Sequence, residues 1–427
     1  MSKRRFLLLA GPPTVAAVSL FAAVAGEVPR VWTSIDGRSV SGHLAGLERG
    51  HPVVFDETGR RLRLPLEQLS EADREWLAQW RSDRSPTEAQ APLDPAARGA
   101  RVVQPPVTLR RVSDEGGSVH RYASPVYDFE IDAELPMAVL GELARMAEAT
   151  VRLVDSMPLS LPPRGERRYL ARLYGSRSDF EAAGGSPGLA GWFQAGGWGR
   201  AGALIMPIES LGIADMSRGA GIPDGHVLRH EIAHQATADV MPLLPLWLRE
   251  GIAEVVARTP YRDGVFEPGE RGLVVALKRR HEEMRRIGTE TDAFGGTGPV
   301  RTQISLPALM ERERSSWSGL DIAEQHRCYF TAHLLTAWYL HLDGDGEARA
   351  LRALFDEASE ASLYLMTCGE EGRWPEEAGT PDWRSGPAAV VRAGEALLQG
   401  GRSWQEIDAA YLADLQSKWG LRLADER

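Results

Sequence analysis

The chain has 427 residues, of which 43% are hydrophobic and 25% charged, a composition typical of a globular protein with two or three domains. Its formal net charge is −10, so the molecule as a whole has no positive field for nucleic acid or anionic lipid, although a local basic patch remains compatible with that total. We therefore expect no nucleic-acid partner. Cys328 and Cys368 allow one disulfide but no thiolate zinc site, so any metal must be held by histidine and carboxylate side chains.

Residues 1–25 have the pattern of an export signal. The basic start "MSKRR" is followed by the apolar stretch "FLLLAGPPTVAAVSLF" and by "AVA" before Gly26, which is a small-residue cleavage site. An uncleaved anchor is the alternative, because residues 6–25 are about long enough to span a bilayer. Pro12 and Pro13 interrupt that run, which favours cleavage. We expect export to the periplasm or the extracellular space, without stable membrane insertion unless the signal is retained.

Residues 30–82 predict a small unit of alternating strands closed by one helix. The strands of "VWTSIDGRSVSGHLAGLERGHPVVFDETGRRLRL" are separated by Asp-Gly, Arg-Gly and Thr-Gly turns. In the helix that follows, Ser70 is the expected N-cap, and Asp73 at the third helical position is the expected carboxylate of a capping box.

This stretch resembles the SH3-like barrel of the SLA-homology type through "WTSIDGRSVSGHL", "LPLEQLS" and "DREWL". The barrel is an interaction module in that family, so the resemblance implies a small β-barrel that docks a protein partner. A structural appendage without a partner is the alternative.

We predict a linker over residues 83–118, because the segment up to residue 106 is rich in proline, alanine and charged residues and lacks hydrophobic periodicity. Residues 119–427 show no comparable break and no internal repeat, so we expect one domain there. Strands precede helices along this domain, which predicts the α+β class with a mixed sheet and a mainly helical C-terminal part. The predicted elements are, in chain order, a helix over 135–157, a strand over 168–176, the strand "ALIMP", a helix around 228–237, and helices over 245–259 and 323–342.

The stretch "LRHEIAHQAT" carries the candidate chemistry. His230 and His234 are four residues apart, so they share one helix face and both imidazoles can point at a single metal ion. Glu231 lies about 100° round the helix, where it can reach a metal-bound water without ligating the metal. A solvated polar face is the alternative, but the apolar neighbours "VL" and "IA" predict a mostly buried helix. Buried histidines need partners, and a metal supplies them.

A catalytic zinc needs a third protein ligand and an open position. Glu250, in "WLREGIAE", is the candidate ligand. Glu254 lies one turn later on the same face, and we expect it to accept a hydrogen bond from a ligand imidazole. The alpha carbons of His226 and His234 should lie about 12 Å apart, so we interpret His226 as an outer residue or a helix start, not as a ligand.

His230, Glu231 and His234, together with "WLREGIAE" and the strand "GALIMP", resemble the gluzincin metallopeptidases of the thermolysin and aminopeptidase N type, often called the peptidase MA clan. The resemblance spans about residues 168–342, and exported bacterial members of unknown substrate are the most similar in pattern. It implies a zinc ion held by His230, His234 and Glu250, and hydrolysis of peptide or protein substrates with Glu231 as the general base.

Two further expectations concern the substrate. The Gly-x-Met-Glu-Asn strand of the aminopeptidases is missing and "LIMP" stands in its place, so exopeptidase action is not carried over. By the resemblance, "ALIMP" would be the edge strand along the cleft, where a peptide would add through backbone hydrogen bonds.

The helix predicted over 323–342 offers a donor for the developing oxyanion, which needs one beyond the metal. His326, Tyr329 and His333 lie on one face of this helix. In similar proteins a tyrosine or histidine after the third ligand has this role, so Tyr329 is the first catalytic candidate and His333 the second. An ordinary half-buried helix residue is the alternative for Tyr329.

Two functions remain open at this point. The first is an exported zinc endopeptidase docked by its barrel, and the second is a catalytically idle metallopeptidase-like scaffold that only binds. The presence of both Glu231 and Glu250 favours the enzyme, because decayed sites commonly lose the base or a ligand.

Overall fold

The computed structural model describes residues 29–48, 51–56, 60–83, 99–112, 119–162, 167–196, 202–211, 225–292, 302–312, 317–371 and 387–423. The predicted signal at 1–25 lies outside these residues. The N-terminal region contains β1 (Arg30–Thr33), β2 (Ser39–Glu48), β3 (His51–Asp56), β4 (Arg61–Arg63) and α1 (Glu71–Asp83). The remaining elements are β5 (Val102–Val103), β6 (Arg110–Val112), β7 (His120–Ala123), β8 (Tyr127–Ile131), α2 (Met137–Ser156), β9 (Tyr169–Tyr174), α3 (Arg177–Ala182), β10 (Trp192–Gln194), β11 (Ala203–Pro207), α4 (His226–Ala236), α5 (Leu246–Arg258), β12 (Tyr261–Arg262), β13 (Val265–Phe266), α6 (Glu270–Asp292), α7 (Leu306–Arg312), α8 (Ile322–His341), α9 (Arg349–Glu371), α10 (Pro387–Gln399) and α11 (Trp404–Trp419).

The N-terminal strands form an antiparallel sheet in the order β1-β2-β3-β4, and α1 packs on it. Their shared core consists of Trp32, Val54, Leu69 and Leu77. Ser70 caps α1 as predicted, because its Oγ accepts from the amide of Asp73 at 3.2 Å. The reciprocal half of the capping box does not form. The Asp73 carboxylate instead accepts from the amide of Thr33 at 2.7 Å and from Arg30 at 2.6 Å, which joins α1 to β1.

The prediction of a linker over 83–118 and of a domain starting at 119 is wrong for residues 99–112. Strand β5 pairs with β13, and β6 pairs with β7, so both belong to the C-terminal fold. The Gln104 side chain is buried and donates to Glu148 of α2 at 3.1 Å. Strands of two or three residues leave no periodicity in the sequence, and for that reason the pattern missed them.

The C-terminal part is α+β, as predicted, and begins with a six-stranded mixed sheet in the order β10-β11-β9-β8-β7-β6. Strands β8, β9 and β11 are parallel to one another, and the outer pairings are antiparallel. The predicted strand "ALIMP" is β11, but the expectation that it forms the sheet edge is wrong. The short strand β10 pairs along its outer side and takes the edge position.

Helix α4 is fixed to this sheet by one amide side chain. The Gln235 amide donates to the carbonyls of Leu170 at 3.0 Å and Gly202 at 3.1 Å, and its oxygen accepts from the Tyr127 hydroxyl at 3.0 Å. Gln235 is 2% exposed, so each of these bonds replaces water that the side chain has lost. The bonds set the position of α4, and with it the neighbouring His234.

Helix α5 crosses α8 at very short range. A β-carbon on Gly251 would lie 2.1 Å from Oγ1 of Thr336 and 2.6 Å from the carbonyl oxygen of Ala332, so only glycine fits this crossing. The contact brings the N-terminal half of α8, including Tyr329, beside the C-terminal side of α5.

The predicted helices over 135–157, 245–259 and 323–342 are confirmed as α2, α5 and α8.

The helices that follow α5 share one large core, whose fully buried side chains include Trp247, Trp338, Tyr339 and Tyr411. Cys328 is a buried free thiol in α8, and the side chain of Cys368 lies outside the described part of the chain. Across the described ranges we find no helix that combines the length and the apolar character required to span a bilayer.

Candidate metal centre

Three side chains from α4 and α5 converge on one point. Nε2 of His230 lies 3.2 Å from Nε2 of His234 and 3.3 Å from Oε2 of Glu250. Nε2 of His234 lies 3.5 Å from the same carboxylate oxygen. The two histidines stand one helical turn apart, and the turn between α4 and α5 directs Glu250 at both. The structure thus brings together the three predicted metal ligands.

The spacing of these atoms fits a tetrahedral zinc site. With zinc-to-ligand bonds of about 2.0–2.1 Å, two corners of a tetrahedron lie about 3.3 Å apart, and the three measured separations bracket that value. The side chains of His230, His234 and Glu250 are only 12%, 11% and 15% exposed. Three nearly buried donor atoms that face each other at this spacing could hold one cation, and two imidazoles with one carboxylate are a usual set for zinc.

The charges of the three side chains depend on one another. Burial on its own lowers the pKa of His230, but the carboxylates of Glu250 and Glu254, each 3.3 Å from a ring nitrogen, outweigh it and leave that pKa well above its usual value. Burial opposes ionisation of Glu250 too, yet the charge of His234 and the hydrogen bond with His230 hold its pKa far below the ordinary range. The charged forms of the imidazoles and of the Glu250 carboxylate therefore stabilise one another.

Glu254 lies where the sequence predicts. Its Oε1 is 3.3 Å from Nδ1 of His230, the ring nitrogen that points away from the other two ligands. The same oxygen is 3.3 Å from Nε2 of His226, so His226 contacts the outer carboxylate and does not reach the three ligand atoms. A carboxylate on Nδ1 directs Nε2 of His230 towards the metal position.

Glu231 lies half-buried on α4 between the two histidines. Its charge raises the pKa of both His230 and Tyr329, which places the carboxylate beside the cluster. Within the described ranges Glu231 forms no hydrogen bond or ion pair, so its oxygens are available to a water molecule or a substrate.

Tyr329 of α8 faces the same cluster. Its ring centroid lies 6.1 Å from that of His230, and Trp317 packs edge-on against its other side at 5.2 Å. Burial, followed by the charges of Glu250 and Glu254, raises the pKa of Tyr329, so the hydroxyl stays protonated and able to donate.

The other two histidines of α8 have different surroundings. His333 is completely buried, and neither ring nitrogen has a hydrogen-bond partner among the described residues. Burial lowers its pKa to about 3, so the ring is neutral. His326 accepts at Nδ1 from Arg280, at 3.2 Å. Of the candidates on this helix, Tyr329 is the one whose ring packs against a predicted metal ligand, and the catalytic roles of Tyr329 and His333 stay predictions.

Two residues near the cluster were missed by the sequence analysis. Arg258 binds Glu254 through Nε at 2.6 Å, and the Glu-x-x-x-Arg spacing on a helix was the available signal. Trp317 lies far along the chain from both helices of the cluster, and nothing in its own sequence context indicates the contact with Tyr329. No family model, no curated protein and no solved structure matches this chain.

Proposed function

We propose that the protein is an exported zinc-dependent peptidase of the gluzincin type. The observation that carries this proposal is the triangle of His230, His234 and Glu250 donor atoms, with edges of 3.2, 3.3 and 3.5 Å. The free carboxylate of Glu231 beside it supports hydrolysis, because a purely structural zinc site has no use for a base.

In this proposal His230, His234 and Glu250 hold the zinc ion, which when bound acts as a Lewis acid and lowers the pKa of a water molecule. Glu231 accepts the proton of the attacking water and passes it to the nitrogen of the leaving amine. Tyr329 donates its hydroxyl proton in a hydrogen bond to the carbonyl oxygen as that oxygen gains negative charge.

The substrate in this proposal is a peptide or protein in extended form. Among the described strands β10 takes the edge position of the six-stranded sheet, and it lies next to α4. A peptide that pairs with β10 would run beside the helix that carries Glu231. This assignment replaces β11, which is paired on both sides.

We further propose that the sheet β1-β2-β3-β4 with α1 is an SH3-like barrel that docks a protein partner. Val31 and Ile35 on this unit are 58% and 69% exposed, and they are the large apolar side chains that such a partner would cover.

The test uses the mature chain, purified without chelator. We expect one zinc per chain by elemental analysis and cleavage of a mixed peptide library. His234→Ala should lose the metal, whereas Glu231→Gln should keep it and lose cleavage, since only the base is removed.

A wild-type protein without stoichiometric metal would contradict the zinc assignment. A wild-type protein that holds zinc but cleaves no peptide would favour the alternative, a metallopeptidase-like scaffold that only binds.

A further inference from the structure

The carboxylate of Glu254 has three partners on three sides. Its Oε1 lies 3.3 Å from Nδ1 of His230 and 3.3 Å from Nε2 of His226, and its Oε2 accepts from Nε of Arg258 at 2.6 Å. The Glu254 side chain is 5% exposed, so water contributes little to holding it. A carboxylate with one partner can rotate, whereas contacts on both oxygens fix its plane.

Arg258 is itself held from a third helix. Its Nη1 lies 3.7 Å from Oε2 of Glu283 on α6, and that oxygen also accepts from Arg280 at 3.1 Å. Arg280 is 7% exposed and the Glu283 side chain 33% exposed, so this ion pair is only partly shielded from solvent and from salt. A chain of alternating charges therefore runs from α6 through Arg258 to Glu254.

His226, His230 and Glu254 also satisfy the spacing of a second metal cluster, with ligand atoms within 4.8 Å of one another. The positive charge of Arg258, 2.6 Å from Oε2 of Glu254, disfavours a divalent ion there. The geometry fits an orienting role better than a second metal.

We propose that Arg258 and His226 are positioning residues, which fix Glu254 and through it the ring of His230. With Glu254 immobile, Nε2 of His230 stays directed at Glu250 and His234. The ligand side chains then lose less conformational entropy when a metal binds. The inference rests on the metal site of the proposed function, but not on hydrolysis. It concerns two residues outside the sequence motif, His226 on α4 and Arg258 on α5.

The test measures zinc affinity by competition with a chelator of known affinity, and the visible absorption of the cobalt(II)-loaded protein, which reports ligand geometry. Arg258→Met should weaken zinc binding about tenfold, at the low end of the range for outer residues of metal sites, and should shift the cobalt bands. Arg258→Lys keeps the charge and should recover part of the loss. His226→Leu should weaken binding, whereas His226→Gln retains a donor and should restore it.

Arg349→Met is the matched control. Arg349 and Asp345 form an ion pair with the same four-residue spacing, at 2.6 Å, but at the N-terminus of α9, where Asp345 precedes the helix, and both side chains are exposed. This variant should bind zinc like the wild type. Thermal unfolding of the metal-free variants shows whether each one is folded, and if Arg258→Met does not fold, the Leu and Gln variants of His226 decide the question.

Unchanged zinc affinity and an unchanged cobalt spectrum in Arg258→Met and His226→Leu would overturn the inference alone. A wild-type chain that binds no zinc would overturn the metal site itself, so the two failures are distinguishable.

Discussion

At the scale of single residues, the hydroxyl of Tyr329 distinguishes the proposed catalytic role from a packing role. The ring contacts His230 and Trp317, while the hydroxyl forms no hydrogen bond with another described residue. A tyrosine that served only to fill space would do so equally well as phenylalanine. The hydroxyl is therefore the part of the side chain to test.

We expect Tyr329→Phe to lower kcat by about 10²–10³-fold and to leave KM nearly unchanged, because an oxyanion donor acts mainly in the transition state. Steady-state kinetics on a cleaved peptide checks this, and zinc content should stay normal. His333 lies one turn away on α8, so the double mutant with His333 shows whether it substitutes. Wild-type rates in both variants would exclude this helix as the source of the donor.

His333 should make the stability of the fold sensitive to acid. Burial lowers its pKa to about 3, whereas an unfolded histidine has a pKa of about 6.5. Between these values the unfolded chain binds a proton that the folded chain does not, so stability falls as the pH drops below about 6.5.

At pH 5 the protonation of His333 in the unfolded chain should lower the free energy of unfolding by about 2 kcal/mol. Urea denaturation at pH 7.5 and pH 5, with chelator present, should therefore show a larger loss for the wild type than for His333→Leu. Equal losses in the two proteins would mean that His333 takes up its proton in the folded state.

At the scale of elements, the crossing of α5 and α8 at Gly251 brings the proposed metal ligand Glu250 close to the proposed oxyanion donor Tyr329. We expect Gly251→Ala to destabilise the protein by about 1–3 kcal/mol, because the added methyl group meets the backbone of α8. The cleavage rate should fall by more than the loss of folded protein explains, because α8, which carries Tyr329, must move away from α5. Denaturant unfolding and kcat measure the two effects.

Gly141→Ala on α2 is the control for that experiment. A β-carbon at Gly141 meets nothing within 4 Å, so the replacement should raise helix stability by up to about 1 kcal/mol. If Gly251→Ala is equally harmless, the two helices have room to separate and the crossing does not constrain the site.

The sequence predicts the long helices and the shared helix face of His230 and His234 for a common reason. Helices such as α2 and α8 repeat their apolar face over several turns, and His230 and His234 obey the helical period. The strands β5, β6 and β10 are two or three residues long, and their pairing depends on partners distant in the chain. The wrong prediction that β11 is the edge strand has the same cause, because no local sequence pattern shows that β10 pairs along its outer side.

At the scale of the whole molecule, the N-terminal sheet has a hydrophobic core of its own. Trp32, Val54, Leu69 and Leu77 form a cluster separate from the larger cores, and Asp73 joins helix to sheet within the unit. We expect residues 29–83, expressed alone, to show a cooperative melt, and the chain without them to retain zinc and cleavage. Strand β2 lies beside α9, so some loss of stability on separation is compatible with this expectation.

An unfolded fragment, together with a C-terminal part that collapses without it, would show that the two form one integrated unit. Circular dichroism of both pieces, recorded with temperature, distinguishes these outcomes.

The pairing of β5 with β13 has a mechanical consequence. After the N-terminal unit, the chain joins the larger fold at β5. Two residue pairs with β13 hold it there, together with a hydrogen bond from the backbone amide of Gln104 to the backbone carbonyl of Gly264. A pulling force on a docked N-terminal unit therefore reaches this short pairing before it loads the six-stranded sheet. The hairpin β12–β13 starts three residues after Arg258, so tension that tears β5 away acts on the end of α5, within four residues of Glu254.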